Sequence, residues 1–508
     1  MKRKILTLAL CLAVSIFCAL AVGCNAESEP LKPTDDNAFV INNSGVITDM
    51  TATGKMLSTV VVPDEINGIK VKEIGQNAFK LCTNLVKIIL PEGLETIRPY
   101  AFEKCNSLQQ IVFPQSLTRI ENYVFRNCSS LQSITMSDNI TYVGSNMFYN
   151  CTALKSVKLS ANITRIGKQM FYNCSSLTSI TIPQKVGQIE YNSFNGCVNL
   201  SSVTIEEGVD GIQYNAFSKC ALGEITIPNS ITTIGDGAFY DCKNLKTVNI
   251  GSGLESLGKG VFSNCPKLEK FNLSDQNTAL KIDQTALYSA DKKTLYRYPS
   301  STNQTQFTVP SQVKTVASGA FSGSALKSIV LPSGVESIGD QAFSGSQNLT
   351  ALVIPQTVTA LGSTVASGCP VVTVITDASA KPSAWTTDFG IMRPVIYGYD
   401  GAFGTTENGL IWVKTTVGVA VALCDLTVAE VVLPEQIGGI NVTTLPEYAF
   451  FDSEKITKLV IPATVTAVSD YAIFLCPNIN IYCKAPSKPN TWAEFWNESG
   501  STPTFNYK

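Results

Sequence analysis

Cysteine is the residue type whose number and spacing in this sequence could support chemistry. The chain has 508 residues, of which 16 are cysteine and none is histidine. A metal site needs thiolates that converge at about 2.3 Å from one ion. Nine of the cysteines instead follow one another at intervals of 22 or 23 residues, so they cannot converge except locally, and we predict no metal site. The nine residues are Cys82, Cys105, Cys128, Cys151, Cys174, Cys197, Cys220, Cys242 and Cys265.

The same spacing bears on the choice between free thiols and disulfides. An exported chain with this many cysteines would fit a disulfide framework. However, nine residues at one identical position of consecutive repeats cannot all pair among themselves, and a free cysteine can behave as a small buried hydrophobe. We therefore predict reduced, structural thiols for this column. Cys476 and Cys483, which are close together near the end of the chain, are the best candidates for a disulfide.

The rest of the sequence offers little that could act as a catalyst. Without histidine, Ser-His-Asp and Cys-His catalysis and His-containing metal sites are excluded. The Asp and Glu residues are scattered, and there is no Gly-rich phosphate loop of the P-loop or dinucleotide type. We predict a protein with no enzymatic activity, no catalytic residues and no cofactor. Paired carboxylates leave a carbohydrate-processing enzyme as the weakest alternative.

A phenylalanine stands three residues before each of the nine cysteines and marks a repeating unit. Within one unit, Ile180 and Ile182 alternate with hydroxyl residues, as in a half-buried strand. Pro183 ends that strand because it has no N–H to donate. One unit is too small to enclose its own apolar residues, so stacked units must bury them in one column. The phenylalanines are Phe79, Phe102, Phe125, Phe148, Phe171, Phe194, Phe217, Phe239 and Phe262.

One repeat, Leu222 to Cys242, reads LGEITIPNSITTIGDGAFYDC and resembles the BspA-type leucine-rich repeat of bacterial cell-surface proteins. A period of roughly 20 to 29 residues is itself typical of a leucine-rich repeat solenoid. We therefore expect an α/β or mostly β solenoid, with one parallel strand per repeat, a curved right-handed array and irregular capping units. The resemblance implies a surface adhesin or binding protein of a host-associated bacterium.

Residues 1–24 have the shape of a lipoprotein signal peptide. A basic start is followed by an apolar run, and Leu20-Ala-Val-Gly-Cys24 resembles a lipobox, although Ala21 stands where leucine is usual. An ordinary cleaved signal and a retained membrane anchor are the alternatives. Lipidation of Cys24 predicts an exported cell-surface protein that contacts the membrane through its N-terminal lipid alone. The polar residues 25–38 predict a flexible tether.

Beyond the tether, the sequence predicts two repeat arrays. The long array, residues 39–400, has an entry unit, a hairpin insert near 287–298 and a Trp-bearing closing unit. Leu287 stands where a phenylalanine is expected, and Val365 takes that place in a degenerate repeat. The short array, residues 401–508, has its own entry and closing units, so a duplication is the simplest explanation.

Function is then expected on the outward-facing strand residues. A net charge of −2 and the absence of a basic stripe argue against nucleic acid. We predict an adhesion protein that binds an extracellular protein or glycan, since solenoids present extended faces. Alternatively, these residues merely suit an exposed sheet, or the array is a spacer that presents the short array. The predicted binding residues are Ser133, Thr135, Ser156, Lys158, Ser179, Thr181, Ser202, Thr204, Glu224, Thr226, Thr247 and Asn249.

The lipobox generates a prediction about the anchor. We expect Cys24 to be the first residue of the mature protein and to carry the lipid, so Cys24→Ala should move the protein from the detergent phase to the aqueous phase. Detergent phase partitioning of both proteins measures this. Equal partitioning of the wild type and the variant would show that Cys24 carries no lipid.

Overall fold

The computed structural model describes residues 32–385, 389 and 392–508 of the chain. In these residues the structure is a mostly β solenoid, and its two helices are short 3₁₀ turns at Asp36–Ala38 and Gly54–Met56. The predicted leucine-rich repeat solenoid, with parallel strands about 23 residues apart, is confirmed. The predicted signal peptide, Cys24 and the first part of the predicted tether lie outside the described residues.

The entry unit holds the chain that precedes it. Thr34 donates its N–H to the Val61 carbonyl at 2.9 Å and accepts the Val61 N–H on its hydroxyl at 2.9 Å. Any tether therefore ends before Thr34. The strands of this unit are β1 (Phe39–Ile41), β2 (Val46–Met50), β3 (Thr59–Val61), β4 (Glu65–Ile66), β5 (Ile69–Lys70) and β6 (Glu73–Ile74). β1 and β2 form an antiparallel hairpin, and β2 pairs in parallel with β6, which starts the stack.

Each regular repeat contains two strands. The odd-numbered strands from β7 to β23 have three or four residues and alternate between exposed and buried positions, as predicted for β15 and its neighbours. The even-numbered strands have two residues and pair in parallel in a second series, which the sequence analysis did not predict because two residues show no periodicity. The strands are β7 (Lys87–Ile89), β8 (Thr96–Ile97), β9 (Gln110–Val112), β10 (Arg119–Ile120), β11 (Ser133–Thr135), β12 (Tyr142–Val143), β13 (Ser156–Lys158), β14 (Arg165–Ile166), β15 (Ser179–Ile182), β16 (Gln188–Ile189), β17 (Ser202–Ile205), β18 (Gly211–Ile212), β19 (Glu224–Ile227), β20 (Thr233–Ile234), β21 (Thr247–Ile250), β22 (Ser256–Leu257) and β23 (Lys270–Leu273).

The nine repeated phenylalanines form one buried column. Neighbouring rings are stacked, with centroids 4.9 Å apart between Phe79 and Phe102 and 5.6 Å apart between Phe125 and Phe148. The geometry lies within the range of favourable offset stacking, which adds about 0.5–1.5 kcal/mol per pair to the burial of the rings. Each repeat thus completes the core of its neighbour.

The backbone turns sharply on both sides of each phenylalanine. The residues two before and two after Phe171, Gln169 and Asn173, have φ values of 53° and 57°, and most other repeats share this pattern. Asn and Gly tolerate this left-handed conformation better than other residues. Between the two turns, the Phe171 N–H donates to the Ser193 carbonyl at 2.8 Å, so the Phe segments also form a hydrogen-bonded column.

The nine repeated cysteines from Cys82 to Cys265, called the ladder cysteines below, are buried and free, as predicted. They do more than fill space, because each thiol from Cys105 onward donates a hydrogen bond to the backbone of the previous repeat. The acceptor is the carbonyl of the phenylalanine of that previous repeat. Cys174 Sγ, for example, lies 3.2 Å from the Phe148 carbonyl oxygen. Burial raises the pKa of Cys197 to about 12, so the thiol stays protonated at neutral pH.

The predicted disulfide between Cys476 and Cys483 is wrong, because both residues are free. Cys476 makes the same kind of contact as the repeated cysteines of the long array, because its thiol donates to the Phe450 carbonyl at 3.4 Å. Cys483 is instead buried on a strand of the short array. The two thiols therefore serve different parts of the core, despite their closeness in sequence.

Residues 280–297 form a three-stranded antiparallel insert, which is larger than a single hairpin. Its third strand pairs in parallel with the next turn, so the insert is part of the solenoid sheet. Tyr298, and not Leu287, takes the phenylalanine position: its ring stacks on Phe321 at 5.6 Å and its N–H donates to the Ala320 carbonyl at 2.8 Å. Leu287 is buried in the core of the preceding repeats. The strands are β24 (Leu280–Asp283), β25 (Ala286–Ser289) and β26 (Thr294–Arg297).

The repeats resume after the insert and end in a tryptophan unit. Phe343 donates its N–H to the Val365 carbonyl at 2.8 Å, which places Ala366, and not Val365, at the phenylalanine position. The Trp385 indole N–H donates to the Val358 carbonyl at 3.0 Å. The strands are β27 (Gln306–Thr308), β28 (Thr315–Val316), β29 (Ser328–Val330), β30 (Ser337–Ile338), β31 (Ala351–Val353), β32 (Ala360–Leu361), β33 (Thr373–Ile375) and β34 (Val395–Ile396).

The remaining strands repeat this plan on a smaller scale. The Trp492 indole N–H donates to the Val465 carbonyl at 3.2 Å, which is the same contact 27 residues back that Trp385 makes. Val353, Ile375 and Ile396 share a buried cluster with Leu410 and its neighbours, so one core crosses residue 400. The strands are β35 (Tyr399–Thr405), β36 (Leu410–Thr415), β37 (Gly418–Leu423), β38 (Glu430–Val432), β39 (Gln436–Ile437), β40 (Ile440–Leu445), β41 (Phe450–Phe451), β42 (Lys458–Ile461), β43 (Ala467–Val468), β44 (Ile473–Phe474), β45 (Asn480–Cys483) and β46 (Asn497–Glu498).

The buried thiols generate a prediction about reactivity. We expect the ladder cysteines to resist a thiol reagent in the native protein at neutral pH and to react after unfolding, because burial raises their pKa and blocks access. Thiol counting before and after addition of guanidinium, without a reductant, measures this. A denatured protein without free thiols would contradict the assignment.

The thiol hydrogen bond generates a second prediction. Ser346 takes the cysteine position in one repeat and donates to the Phe321 carbonyl at 3.0 Å, so a hydroxyl can replace the thiol. We expect Cys174→Ser to be less destabilising than Cys174→Ala, which loses a hydrogen bond worth about 1 kcal/mol. Urea unfolding of both variants measures the difference. If the thiol merely filled space, the polar serine would instead be the worse replacement.

Candidate binding surface

The twelve predicted binding residues lie on consecutive strands from β11 to β21. All of them are exposed except Thr247 and Asn249, which are half-buried. The parallel register places equivalent residues side by side: Ser133 beside Ser156, Thr181 beside Thr204, and the β19 residues beside those of β21. The structure therefore brings the predicted residues together on one face, because consecutive repeats have nearly the same length and the paired strands keep the same register.

Half of these residues line a single groove of about 510 Å³. The groove lies across β13, β15 and β17. β15 pairs with β17 in one two-stranded sheet, whereas β13 belongs to a separate two-stranded sheet with β11. Asp138 and Glu206 also line the groove, so its surface combines hydroxyls with both signs of charge. The six predicted residues in the groove are Ser156, Lys158, Ser179, Thr181, Ser202 and Thr204.

The polar groups of the face differ in whether they are already hydrogen-bonded. Around β21, Asn249 donates to the Glu224 carboxylate at 2.5 Å and to the Thr226 hydroxyl at 3.1 Å, and it accepts from Asn272 at 2.7 Å. In the groove, none of the six predicted side chains makes a hydrogen bond or an ion pair with another described residue. The hydrogen-bonding capacity of the groove is therefore available to a partner, whereas that around Asn249 is largely used.

A second surface feature was missed by the sequence analysis. Tyr100 and Tyr123 stack at 4.7 Å, and the guanidinium of Arg126 lies 5.8 Å from the Tyr123 ring. The nearly buried Glu103 carboxylate pairs with Lys80 at 2.9 Å and with Arg126 at 3.2 Å. Tyrosine at a turn position that is usually Asn or Gly was a signal that could have revealed this cluster. Because its charges are already paired, it has less capacity for a partner than the groove.

Among residues 32–385, 389 and 392–508, no group of three or more His, Cys, Asp or Glu side chains could hold a metal ion. Within the same part of the chain, no helix is long and apolar enough to cross a membrane.

Stacked repeats with an extended polar face define a leucine-rich repeat solenoid, a class that is generally a non-enzymatic scaffold for binding proteins or other ligands. The family described as BspA type leucine rich repeat region (6 copies) matches residues 54–178, 164–293, 295–380 and 426–492. These matches cover most of the chain, which therefore belongs to the BspA-type leucine-rich repeat family. No curated protein matches the chain.

Several solved structures resemble the chain. A leucine rich cell surface protein from Faecalibacterium prausnitzii is 19% identical, with a TM-score of 0.43, and the alignment covers 95% of this chain and 97% of that one. A leucine-rich repeat protein from Bacteroides ovatus is 23% identical, with a TM-score of 0.47 and coverage of 70% and 97%. A leucine rich repeat protein from T. pallidum is 26% identical, with a TM-score of 0.30 and coverage of 47% and 91%.

Proposed function

We propose that this chain is an exported, lipid-anchored adhesion protein that binds an extracellular protein or glycan across the β13–β17 groove. The observation that carries the proposal is the set of six groove side chains without hydrogen-bond partners among the described residues. A partner can satisfy these groups without breaking any contact of the solenoid. Enzymatic activity, nucleic-acid binding and a metal or cofactor form no part of the proposal.

The size and chemistry of the face support a macromolecular partner. Adjacent strands lie about 4.8 Å apart, so several strands present a surface wider than a small molecule. Ser and Thr hydroxyls both donate and accept hydrogen bonds, which suits peptide groups as well as sugar hydroxyls. Lys158 adds one cation beside the carboxylates of Asp138 and Glu206, so a strongly charged polymer would meet repulsion somewhere along the groove.

A spacer is the second candidate function. It is favoured by the apolar contact of Val353, Ile375 and Ile396 with the core of residues 401–508. Because the short array shares a core with the long one, it would be presented in a fixed position. In that case, adhesion would depend on the short array and would be indifferent to the groove.

The groove generates a prediction about adhesion. We expect Thr181→Arg combined with Thr204→Arg to abolish adhesion, because two bulky charges in neighbouring register would clash with a partner and remain unpaired. Stability should change by less than about 0.5 kcal/mol, as for ordinary surface substitutions. Adhesion of cells that display the full chain to immobilised host proteins and glycans, together with the thermal midpoint of the purified variant, measures both effects.

A matched control exists on the other strand series. Thr141 and Thr164 are also exposed threonines 23 residues apart, and they precede β12 and β14 away from the groove. Thr141→Arg with Thr164→Arg adds the same charge and bulk, and should leave adhesion intact. If adhesion survives the groove substitutions with the fold intact, binding belongs instead to the insert near 287–298 or to residues 401–508.

A further inference from the structure

A small chamber lies where the insert joins the regular repeats. Its volume is about 10 Å³, which is the space that one water-sized particle needs. One wall is formed by residues 257–263 of the last regular repeat, and another by residues 317–319 of the turn after the insert. Tyr296 and Arg297, at the end of β26, complete the lining. The whole lining falls within residues 32–385, which the structure describes.

The regular repeats show how the backbone donors around each phenylalanine are normally satisfied. In each of the eight repeats from Phe79 to Phe239, the phenylalanine N–H donates to a carbonyl of the next turn. Phe239, for example, donates to the Val261 carbonyl at 3.0 Å. The N–H two residues earlier does the same, as Gly237 does to the Lys259 carbonyl at 2.9 Å. Two donors per repeat are therefore satisfied by the turn that follows.

The repeat that precedes the insert lacks these acceptors. The equivalent N–H groups of Gly260 and Phe262 have no hydrogen-bond acceptor among the described residues, and both residues line the chamber. The insert brings Tyr298 into the column, where its N–H takes the Ala320 carbonyl at 2.8 Å. A buried N–H without an acceptor is rare in folded proteins and indicates a bound water or ion.

The side chain of Arg297 adds a third unsatisfied donor to the chamber. This arginine is 2% exposed, and its two terminal nitrogens donate to the Gly319 and Ser322 carbonyls and to the Ser300 hydroxyl. Its Nε has no hydrogen-bond partner among the described residues. Three N–H donors without acceptors therefore belong to residues that line one chamber.

The positive charge of Arg297 also lacks a counter-ion. Arg297 is the one charged residue among the described residues that line the chamber, so no carboxylate contributes to the lining. The nearby Cys265 thiol is the remaining candidate for a negative charge. Burial raises the pKa of Cys265 to about 11, so this thiol is neutral at neutral pH.

Two carboxylates lie in a wider surface cleft that shares part of its lining with the chamber. Asp236 accepts the Lys259 N–H at 2.7 Å, and Asp340 accepts the Ser363 N–H at 2.7 Å. Both are thus bound to the backbone of the neighbouring turn, and Lys259 adds a cation to the same cleft. Neither carboxylate reaches the lining of the chamber.

We propose that the chamber binds one small monovalent anion, namely chloride. A halide accepts hydrogen bonds from Arg297 Nε and from the N–H groups of Gly260 and Phe262, and it offsets the buried charge. A water molecule brings two protons that need acceptors of their own and leaves the charge uncompensated. A polyatomic anion such as phosphate exceeds the available volume. The site is separate from the β13–β17 groove and does not depend on the function proposed for that groove.

The dependence of stability on the anion tests the proposal. The thermal midpoint of the full chain is measured in sodium chloride and in sodium gluconate at equal ionic strength, because gluconate is too large to enter the chamber. We expect the wild type to melt about 2 °C higher in chloride. Arg297→Gln removes the charge and Nε but keeps an amide that can donate to the Gly319 carbonyl, and it should abolish the difference.

A regular repeat supplies the matched control. Arg165 is paired with the Glu190 carboxylate at 3.2 Å, so its charge is already compensated. Arg165→Gln makes the same change outside the chamber and should keep the difference between chloride and gluconate. A folded Arg297→Gln variant that keeps the difference would overturn the proposal.

Crystals of the wild type soaked in sodium bromide test the position of the ion. We expect anomalous scattering from bromide in the chamber, between Arg297 and the turn that contains Gly260. Water in place of bromide would overturn the proposal. Bromide in the chamber without any effect of chloride on the thermal midpoint would show an adventitious ion only, and would overturn it as well. If Arg297→Gln does not fold, these two measurements on the wild type decide.

Discussion

The fold depends on the fact that a turn of 23 residues cannot bury its own phenylalanine. Each ring is covered by the rings before and after it, as Phe171 is by Phe148 and Phe194 at 5.3 and 5.0 Å. This stacking requires successive turns of the solenoid to have a similar rise and a similar width. Two features meet this requirement by fixing the path of the backbone around the phenylalanine. They are the left-handed residues on both sides of it and the hydrogen bond that the cysteine thiol donates to the previous repeat.

This constraint divides the residues of each repeat into two groups. The inward positions must be apolar and of similar size, since a change in one turn would disturb both of its neighbours. The outward positions of the long strands meet no such requirement and can vary without cost to the stack. The scaffold therefore fixes the position of side chains such as Thr181 and Thr204 but not which residue type stands there. A binding partner can then determine the residue type at these positions.

The sequence was sufficient to predict the solenoid, the strand face and the buried thiols, because these follow from local periodicity. It was not sufficient where the outcome depended on contacts between turns. The position of Tyr298 could not be derived by counting from Phe262, since the insert changes the length of the turn to 36 residues. The hydrogen-bonding state of the groove also lay beyond prediction, because it depends on which side chains the neighbouring strand places beside each residue, as Thr226 is placed beside Asn249.

The insert shows how the stack tolerates an irregular turn. In a regular repeat, the residue two after the phenylalanine donates its N–H to the next turn, as Asn173 does to the Asn195 carbonyl at 2.9 Å. At the insert, the corresponding carbonyl of Ser322 accepts instead from the Ser300 hydroxyl at 3.1 Å and from Arg297 at 2.8 Å. Arg297 is buried without a carboxylate partner among the described residues, and burial lowers its pKa to about 10, so it remains charged at neutral pH. A buried cation of this kind is costly unless its hydrogen bonds are made. Its contacts with the Ser322 and Gly319 carbonyls therefore replace the missing backbone donor and bring Tyr298 into the phenylalanine column.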